Sequence, residues 1–263
     1  MAKRMIDSKA PGLAGMIKTL GATNFYEEDW ESKFMDQLIR LYLVICGFKN
    51  INSLTHLLQN DLRNQVGITQ NQDELKEHTG ITDSWLVLGK KITEEDNLTV
   101  ERIWLYGSRT NQYALVLQFS VRGQGTGVSF TPGMQIEAEL VFFHSANPVR
   151  ALVKDHFTPV TSSRPGGITN WLTVAEYETT SNMQLPFTSE RPFIMEQIRP
   201  VQYAGQWWLA DKENRLMLLK YSYPNLFSLL AISGGKALDM VVFGKENVYE
   251  PMGVWENEVY NII

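Results

Sequence analysis

The sequence predicts an α+β protein in which an N-terminal helical region is followed by a mainly antiparallel β-sheet region with one inserted helix. In the first part of the chain, large apolar residues recur every three to four positions, as they do in amphipathic helices. After Trp85 the chain changes to short runs of aromatic and β-branched residues separated by turn-forming residues, which is typical of antiparallel strands. We therefore expect a helical region at 1–80 and a β-rich region at 84–263.

The longest predicted helix covers 27–48, with acidic residues in its first turn, where they complement the helix dipole. Four large apolar residues are expected to form its core-facing stripe: Phe34, Leu38, Leu41 and Ile45. A second helix is predicted from an N-cap at Ser53 to a stop at Gly67. Shorter helical segments are expected at 3–7, 11–20 and 70–78.

Ten short strands are predicted in the second region: 85–88, 100–106, 113–121, 134–143, 149–153, 193–203, 206–210, 215–219, 240–243 and 247–251. The inserted helix is expected at 168–180. The apolar run 226–232 can be a helix or a strand, because hydrophobic period alone does not resolve so short a run. The glycine-containing segments 122–127 and 161–167 are predicted to be mobile loops, and no internal repeat of 20–50 residues is apparent.

The composition excludes several classes of protein. With 24 Lys and Arg against 29 Asp and Glu, the net charge is −5, which argues against nucleic acid as the partner of this region. The one cysteine, Cys46, can form neither an internal disulfide nor a cysteine-rich zinc site. No run of apolar residues is long enough for a membrane span. We expect a cytoplasmic protein that does not bind membranes.

No catalytic signature is apparent in the chain. It lacks the nucleophile elbow, the phosphate-binding loops and the zinc-protease motif. His144 and His156, with Asp155 beside the latter, could converge on a metal if they ended neighbouring strands, although solvated positions are the more common outcome. We therefore predict a non-catalytic protein with no cofactor and no metal.

The pair Trp207-Trp208 is the candidate site for contact with a partner. Adjacent residues on a strand face opposite sides, so one tryptophan should enter the core and the other should face solvent or a partner. The alternative is that both faces of this strand are covered.

Several blocks of the chain together resemble the C-terminal region of bacterial SWIM zinc-finger family proteins. They occur in the order found in that family: Arg4–Ala14, Trp85–Gly89, Arg102–Gly107, Tyr113–Phe119, Pro148–Val153, Gln206–Asp211, Leu230–Gly235 and Pro251–Trp255. The chain departs from the family because one cysteine cannot supply the ligands of the zinc finger. The roles attached to that finger therefore do not carry over to any residue here.

The resemblance implies a companion region that binds proteins, in assemblies with MoxR-type AAA+ ATPases and von Willebrand A-domain proteins. We therefore expect a cytoplasmic protein-interaction module. An enzyme or small-ligand binder with a dispersed site in the β-rich half is the alternative, and a deep pocket lined by titratable groups would favour it. A nucleic-acid-binding region is a third possibility, which a basic stripe on the surface would favour.

Overall fold

The structure, a computed structural model, describes residues 2–26, 30–95, 98–121, 129–187, 190–245, 247–256 and 258–263, with the backbone alone at 95 and 155–157. The chain divides into two compact units. One comprises Met1–Glu77, Phe143–Pro148 and Ser181–Phe187, and the other comprises His78–Phe142, Val149–Thr180 and Thr188–Ile263. The predicted fold class is confirmed, because helices precede a β-rich region that contains inserted helices.

The described part of residues 1–77 contains five α-helices, named α1 to α5 in chain order: Ala2–Asp7, Pro11–Gly21, Trp30–Lys49, His56–Val66 and Gln72–Glu77. The N-cap of α4 is Thr55, whose side-chain oxygen accepts the Leu58 N–H, and not Ser53 as predicted. Ser53 instead donates its hydroxyl to the Asn50 carbonyl in a preceding 3₁₀ turn. Gly67 ends α4 as predicted, in the left-handed conformation that favours glycine.

The predicted core-facing stripe of α3 is wrong in part. Phe34 and Leu41 are half-buried, whereas Leu38 and Ile45 are 41% and 42% exposed. The residue that α3 buries completely is Val44. Apolar residues occupy most of the circumference of this helix, so a spacing of three to four fits more than one face. The face that packs is rotated away from the predicted one.

Strands β1 to β5 form a closed barrel: Ile81–Glu95, Leu98–Gly107, Tyr113–Val121, Gln135–Phe142 and Arg150–Val160. The pairing order is β1-β2-β3-β5-β4, and β4 pairs back to β1. All pairs are antiparallel except β3 with β5. Trp85, Ile103, Leu105 and Ile136 are among the fully buried residues that fill its interior. We call this the first barrel.

A second set of strands follows the helix α6, Trp171–Gln184. Its elements, β6, β7, β8, α7, β9, β10 and β11, are Arg191–Tyr203, Gln206–Ala210, Leu216–Leu219, Leu226–Ser233, Leu238–Lys245, Val248–Glu256 and Val259–Ile262. The sheet order is β11-β10-β8-β7-β6-β9, and β9 also pairs with β10. Strands β6–β10 therefore form a ring in which each strand has two neighbours, which we call the second barrel.

The two barrels have the same topology. In each, the first strand pairs with the second and fourth, the third pairs with the fifth in parallel, and the fourth pairs with the fifth. This is the strand order of the five-stranded Greek-key barrel known as the OB-fold. The β-rich region is thus an internal duplication of topology, which no sequence period indicated.

Among its described residues the β-rich region holds two helices, because the run near 226–232 forms α7. Residues 161–167 carry neither helix nor strand. The sequence predicts a mobile loop here, but the segment is held at three points. Ser163 N–H donates to Gln135, Arg164 pairs with Asp239, and Gly167 N–H donates to Glu196. The other predicted loop, 122–127, lies outside the described residues. Within the described residues, no helix has both the length and the apolar character needed to cross a membrane.

Candidate functional site: an open face on the second barrel

Trp207 faces the interior of the second barrel. Its side chain is half-buried and packs against the same core as Leu209, two residues further along β7. That core also contains Trp171 from α6 and Leu229 from α7. Beside Trp207 lies a cleft of about 120 Å³. Trp207 is therefore the inward-facing member of the pair.

Trp208 lies on the opposite face of β7, as the strand alternation requires. It stands directly across from Val201 on β6 and from Leu218 on β8, and directly paired residues share a face. Its indole Nε1 donates to the Tyr203 carbonyl at 3.2 Å, and its side chain is half-buried. This face has five large apolar or aromatic residues, which we call the Trp208 face: Val201, Tyr203, Trp208, Leu216 and Leu218.

The Trp208 face is partly open to solvent. Tyr203 is 66% exposed, and Leu216 is also exposed. Large apolar residues grouped on one surface are typical of an interaction site, whereas scattered ones are ordinary. The outward-facing member of the predicted pair thus lies within a patch to which three neighbouring strands contribute.

The corresponding face of the first barrel is covered by protein. On β2 and β3, Trp104 stands across from Leu115, just as Trp208 stands across from Leu218. Trp104 and Leu115 pack in one cluster with residues of the second barrel, among them Ile194 and Phe243. Trp104 contacts Phe243 edge to face, with ring centroids 5.9 Å apart. The corresponding strands of the two barrels therefore each carry an apolar face that contains a tryptophan. This face is covered by protein in the first barrel and is open in the second.

Polar contacts also hold the two barrels together. The Tyr113 hydroxyl accepts the Ile194 N–H at 3.4 Å. The Lys91 ammonium lies 3.2 Å from a Glu250 carboxylate oxygen and 4.9 Å from the centre of the Phe243 ring. Burial raises the pKa of Glu250, but hydrogen bonds and charge from Lys220 and Lys91 outweigh it and lower that pKa overall. The occupied face thus combines an apolar centre with a charged rim, as protein interfaces commonly do.

The charge around the Trp208 face is mixed. Arg199, two residues before Val201 on β6, is exposed on this face and donates to the Asn214 side chain at 3.2 Å. Among the described residues it has no carboxylate partner. Arg215 by contrast pairs with Glu213 at 2.7 Å and lies 3.6 Å from Asp211. The rim therefore offers one guanidinium that is available to a partner.

The most completely buried of the described carboxylates, Asp83, stabilises a hairpin. It accepts hydrogen bonds from the N–H groups of Ser84, Arg109 and Thr110, from the Arg109 guanidinium and from the Thr110 hydroxyl. Burial raises the pKa of Asp83, but these bonds outweigh it and hold that pKa below its ordinary range. Arg109 and Thr110 lie in the turn between β2 and β3, so the carboxylate fixes that turn to β1.

Another carboxylate, that of the half-buried Glu178 on α6, also has a structural partner. Burial raises its pKa, and the Tyr249 hydroxyl donates to its Oε2 at 3.1 Å. Tyr249 is itself fully buried against Trp171, with ring centroids 4.7 Å apart. The pair joins the inserted helix to β10.

The histidines considered as metal ligands are not brought together by any described contact. His144 is held through its backbone, which exchanges two hydrogen bonds with the Gln70 side chain at 2.9 and 3.1 Å. The side chains of Asp155 and His156 lie outside the described part of the structure. Within the part that is described, no group of three or more His, Cys, Asp or Glu residues is placed to hold a metal.

Comparisons with known proteins concern the helical unit. Residues 1–66 match the SWIM-associated four-helix bundle domain, and this segment contains α1 to α4. No match to a zinc finger accompanies it. A comparison with curated proteins finds no match. About the first quarter of the chain is thus similar to a SWIM-associated domain, which supports the resemblance for this part of the chain.

Proposed function

We propose that this chain is a non-catalytic protein-interaction module, a companion region of a SWIM-type protein, and that it binds its partner through the Trp208 face. One observation carries the proposal. The same face of the first barrel is covered by a folded protein surface, namely the second barrel, with Trp104 at its centre. A similarly apolar face, on the three corresponding strands β6, β7 and β8, lies open in the second barrel. Protein is therefore the occupant that this surface chemistry favours.

For the partner we propose a MoxR-type AAA+ ATPase or a von Willebrand A-domain protein, and for the compartment the cytoplasm. The support is the resemblance to the SWIM family over several ordered blocks, together with the match of residues 1–66 to a SWIM-associated domain. The partner surface should also carry a carboxylate, because the Arg199 guanidinium at the rim would pair with one.

The experiment is co-purification with each of these two proteins, expressed together with the wild-type chain or a variant. Trp208→Ala should weaken capture by roughly thirtyfold, because truncating a central aromatic of an interface costs about 2 kcal/mol. Phe227→Ala, which removes an exposed aromatic of α7 and none from the three strands that form this face, is the matched control and should leave capture unchanged. Equal capture by wild type and Trp208→Ala would contradict the proposal.

Single-stranded nucleic acid is a second candidate for the same face. OB-folds bind oligonucleotides on their second and third strands, and here Arg199 accompanies two aromatic residues, Tyr203 and Trp208, on which bases could stack. The net charge of −5 and the acidic partners of Arg215 weigh against it. Anisotropy of a labelled oligothymidine separates the two, because salt-sensitive binding lost in Trp208→Ala would favour nucleic acid.

The small-ligand alternative has less support. The cleft beside Trp207 holds about 120 Å³, whereas ligand pockets commonly enclose about 300–1,000 Å³. Its lining is mostly apolar or aromatic, including Leu219, Tyr223 and Leu226. Burial raises the pKa of the Tyr223 hydroxyl, which donates to the Pro251 carbonyl at 2.9 Å. This hydroxyl therefore has a structural bond.

A further inference from the structure

The longest helix of the helical unit, α3, exposes an apolar stripe to solvent. Met35, Leu38, Tyr42 and Ile45 are between 41% and 64% exposed, and Ile39 and Leu43 beside them are also exposed. The helix is about 30 Å long, from its 20 residues at 1.5 Å each. Such a length of exposed apolar surface is unusual for a helix that already packs against α2 and α4 through another face.

The exposed stripe has the spacing of a coiled-coil seam. Exposed residues recur at intervals of four, three, four, three and four, which we call the α3 seam: Glu31, Met35, Leu38, Tyr42, Ile45 and Lys49. Alternating intervals of three and four keep one line of side chains facing a partner helix. The four inner positions are apolar, and the two ends carry opposite charges.

The α3 seam is complementary to itself when reversed. If two copies of α3 lie antiparallel with Leu38 of each opposite Tyr42 of the other, Met35 meets Ile45 and Glu31 meets Lys49. A two-fold axis generates each of these pairs twice. Glu31 and Lys49 are exposed and, within the described residues, form no ion pair inside their own chain. Parallel copies would instead place like charges side by side at both ends.

The geometry points to a second copy of this chain as the occupant of the α3 seam, in an antiparallel α3–α3 pair about a two-fold axis. This inference is separate from the proposed function, because it uses the helical unit and not the Trp208 face. Two facts favour a copy over another protein: the spacing of the seam reads the same in both directions, and its charges satisfy each other only across the axis. The antiparallel arrangement also opposes the two helix dipoles.

A neighbouring groove fits the same arrangement. An apolar groove of about 500 Å³ opens beside the C-terminal half of α3, lined by residues that include Leu13, Ile45 and Phe48. Two exposed aromatic residues, Phe25 and the 99% exposed Tyr26, lie just before the N-terminus of α3. An antiparallel partner would bring its own Phe25 and Tyr26 to this groove. The interface would therefore extend beyond the seam.

Sedimentation equilibrium of the full chain over a wide concentration range tests the inference. The wild type should be a dimer. Leu38→Glu should weaken dimerisation by at least about 100-fold, because symmetry places two glutamates in the seam. Leu38 is exposed in the single chain, so an unchanged circular dichroism spectrum is expected for this variant. A wild type that stays monomeric at all concentrations would overturn the inference.

Charge reversal tests the pairing itself. Glu31→Lys and Lys49→Glu should each weaken the dimer by roughly tenfold, since two attractive pairs become repulsive. The double variant should restore wild-type affinity. Lys18→Glu is the matched control, because Lys18 is likewise exposed in the last turn of its helix, and it should have no effect. Failure of the double variant to restore the dimer would overturn the Glu31–Lys49 pairing.

Two further measurements test the antiparallel register and the binding of a membrane surface in place of a second copy. In the proposed register, the two Cys46 residues lie 12 positions apart along the helix pair, roughly 18 Å, too far for a disulfide. Mild oxidation should therefore give no cross-linked dimer, and a Cys46–Cys46 cross-link would overturn the antiparallel register. Flotation with vesicles of phosphatidylcholine and phosphatidylglycerol should find no binding. Binding by a monomeric wild type that Leu38→Glu abolishes would assign the stripe to a membrane surface instead.

Discussion

Trp104 of the first barrel contacts Phe243 of the second edge to face, with ring centroids 5.9 Å apart. Both side chains are buried, at 3% and 1% exposure. This pair lies in the cluster that joins the two barrels, so the stability of the β-rich unit should depend on it. Its open counterpart, Trp208, should matter for binding instead.

Trp104→Ala should lower the free energy of unfolding by about 3–5 kcal/mol, the usual cost of deleting a buried aromatic side chain. Phe119→Ala, which truncates an aromatic exposed on β3, should change it by less than about 0.5 kcal/mol. Urea denaturation, followed by far-ultraviolet circular dichroism of the backbone, measures the free energy of unfolding of both variants. Similar values for the two variants would mean that the contact between the barrels contributes little.

The two adjacent tryptophans should separate stability from binding. Trp207→Ala should cost about 2 kcal/mol of stability, less than a fully buried aromatic because its side chain is only half-buried. Trp208→Ala should leave the melting temperature nearly unchanged, since its ring faces away from the core that holds Leu209. Thermal denaturation of both variants provides the check. If Trp208→Ala unfolds the protein as readily as Trp207→Ala, the Trp208 face is part of the core.

Asp83 should make the β-rich unit sensitive to acid. Its pKa is lower in the folded chain than in the unfolded one, so its contribution is present above the unfolded value of about 3.9 and is lost as the pH falls below it. Asp83→Asn should cost about 2–3 kcal/mol at neutral pH. The difference from wild type should then shrink below about pH 4. Asp73→Asn, at an exposed position of α5, is the matched control and should change the free energy of unfolding at neutral pH by less than about 0.5 kcal/mol.

Limited proteolysis tests the predicted boundary between the regions. The last residue of α5 is Glu77 and the first of β1 is Ile81, so early cleavage is expected between them, at 78–80, and not at 81–85, which pair with β4. The segment 161–167 should resist cleavage, although its sequence predicts a mobile loop, because Ser163, Arg164 and Gly167 are each bonded to neighbouring elements. Early cleavage at Arg164 and none at 78–80 would contradict both expectations.

Local sequence pattern predicted much of the fold. The pattern of aromatic and β-branched runs between turn-forming residues gave the bounds of β3, Tyr113–Val121, and of β7, Gln206–Ala210, as the structure has them. It gave only four residues of β1, which has fifteen. The rest of β1 includes the polar stretch Lys90–Glu95, which becomes a strand because it pairs with β2. That pairing is a tertiary contact and leaves no local pattern.

The candidate site was predictable only in part. Strand alternation implied that one of Trp207 and Trp208 faces outward, but which one depends on the core that β7 covers. The Trp208 face itself combines residues from β6, β7 and β8, between 201 and 218, whose register is fixed by strand pairing. The duplication of topology, which relates this face to the Trp104 face, appears only when the strand orders are compared.

Site-specific photo-cross-linking at Tyr203 tests the central claim most directly. A benzoylphenylalanine replaces Tyr203, which is exposed beside Trp208, and the variant is mixed with the purified MoxR-type ATPase or von Willebrand A-domain protein. The same probe at Phe227 is the control. We predict a discrete protein adduct from position 203, abolished by Trp208→Ala, and none from position 227. Equal adducts from both positions, or none from 203 with either protein, would contradict the account.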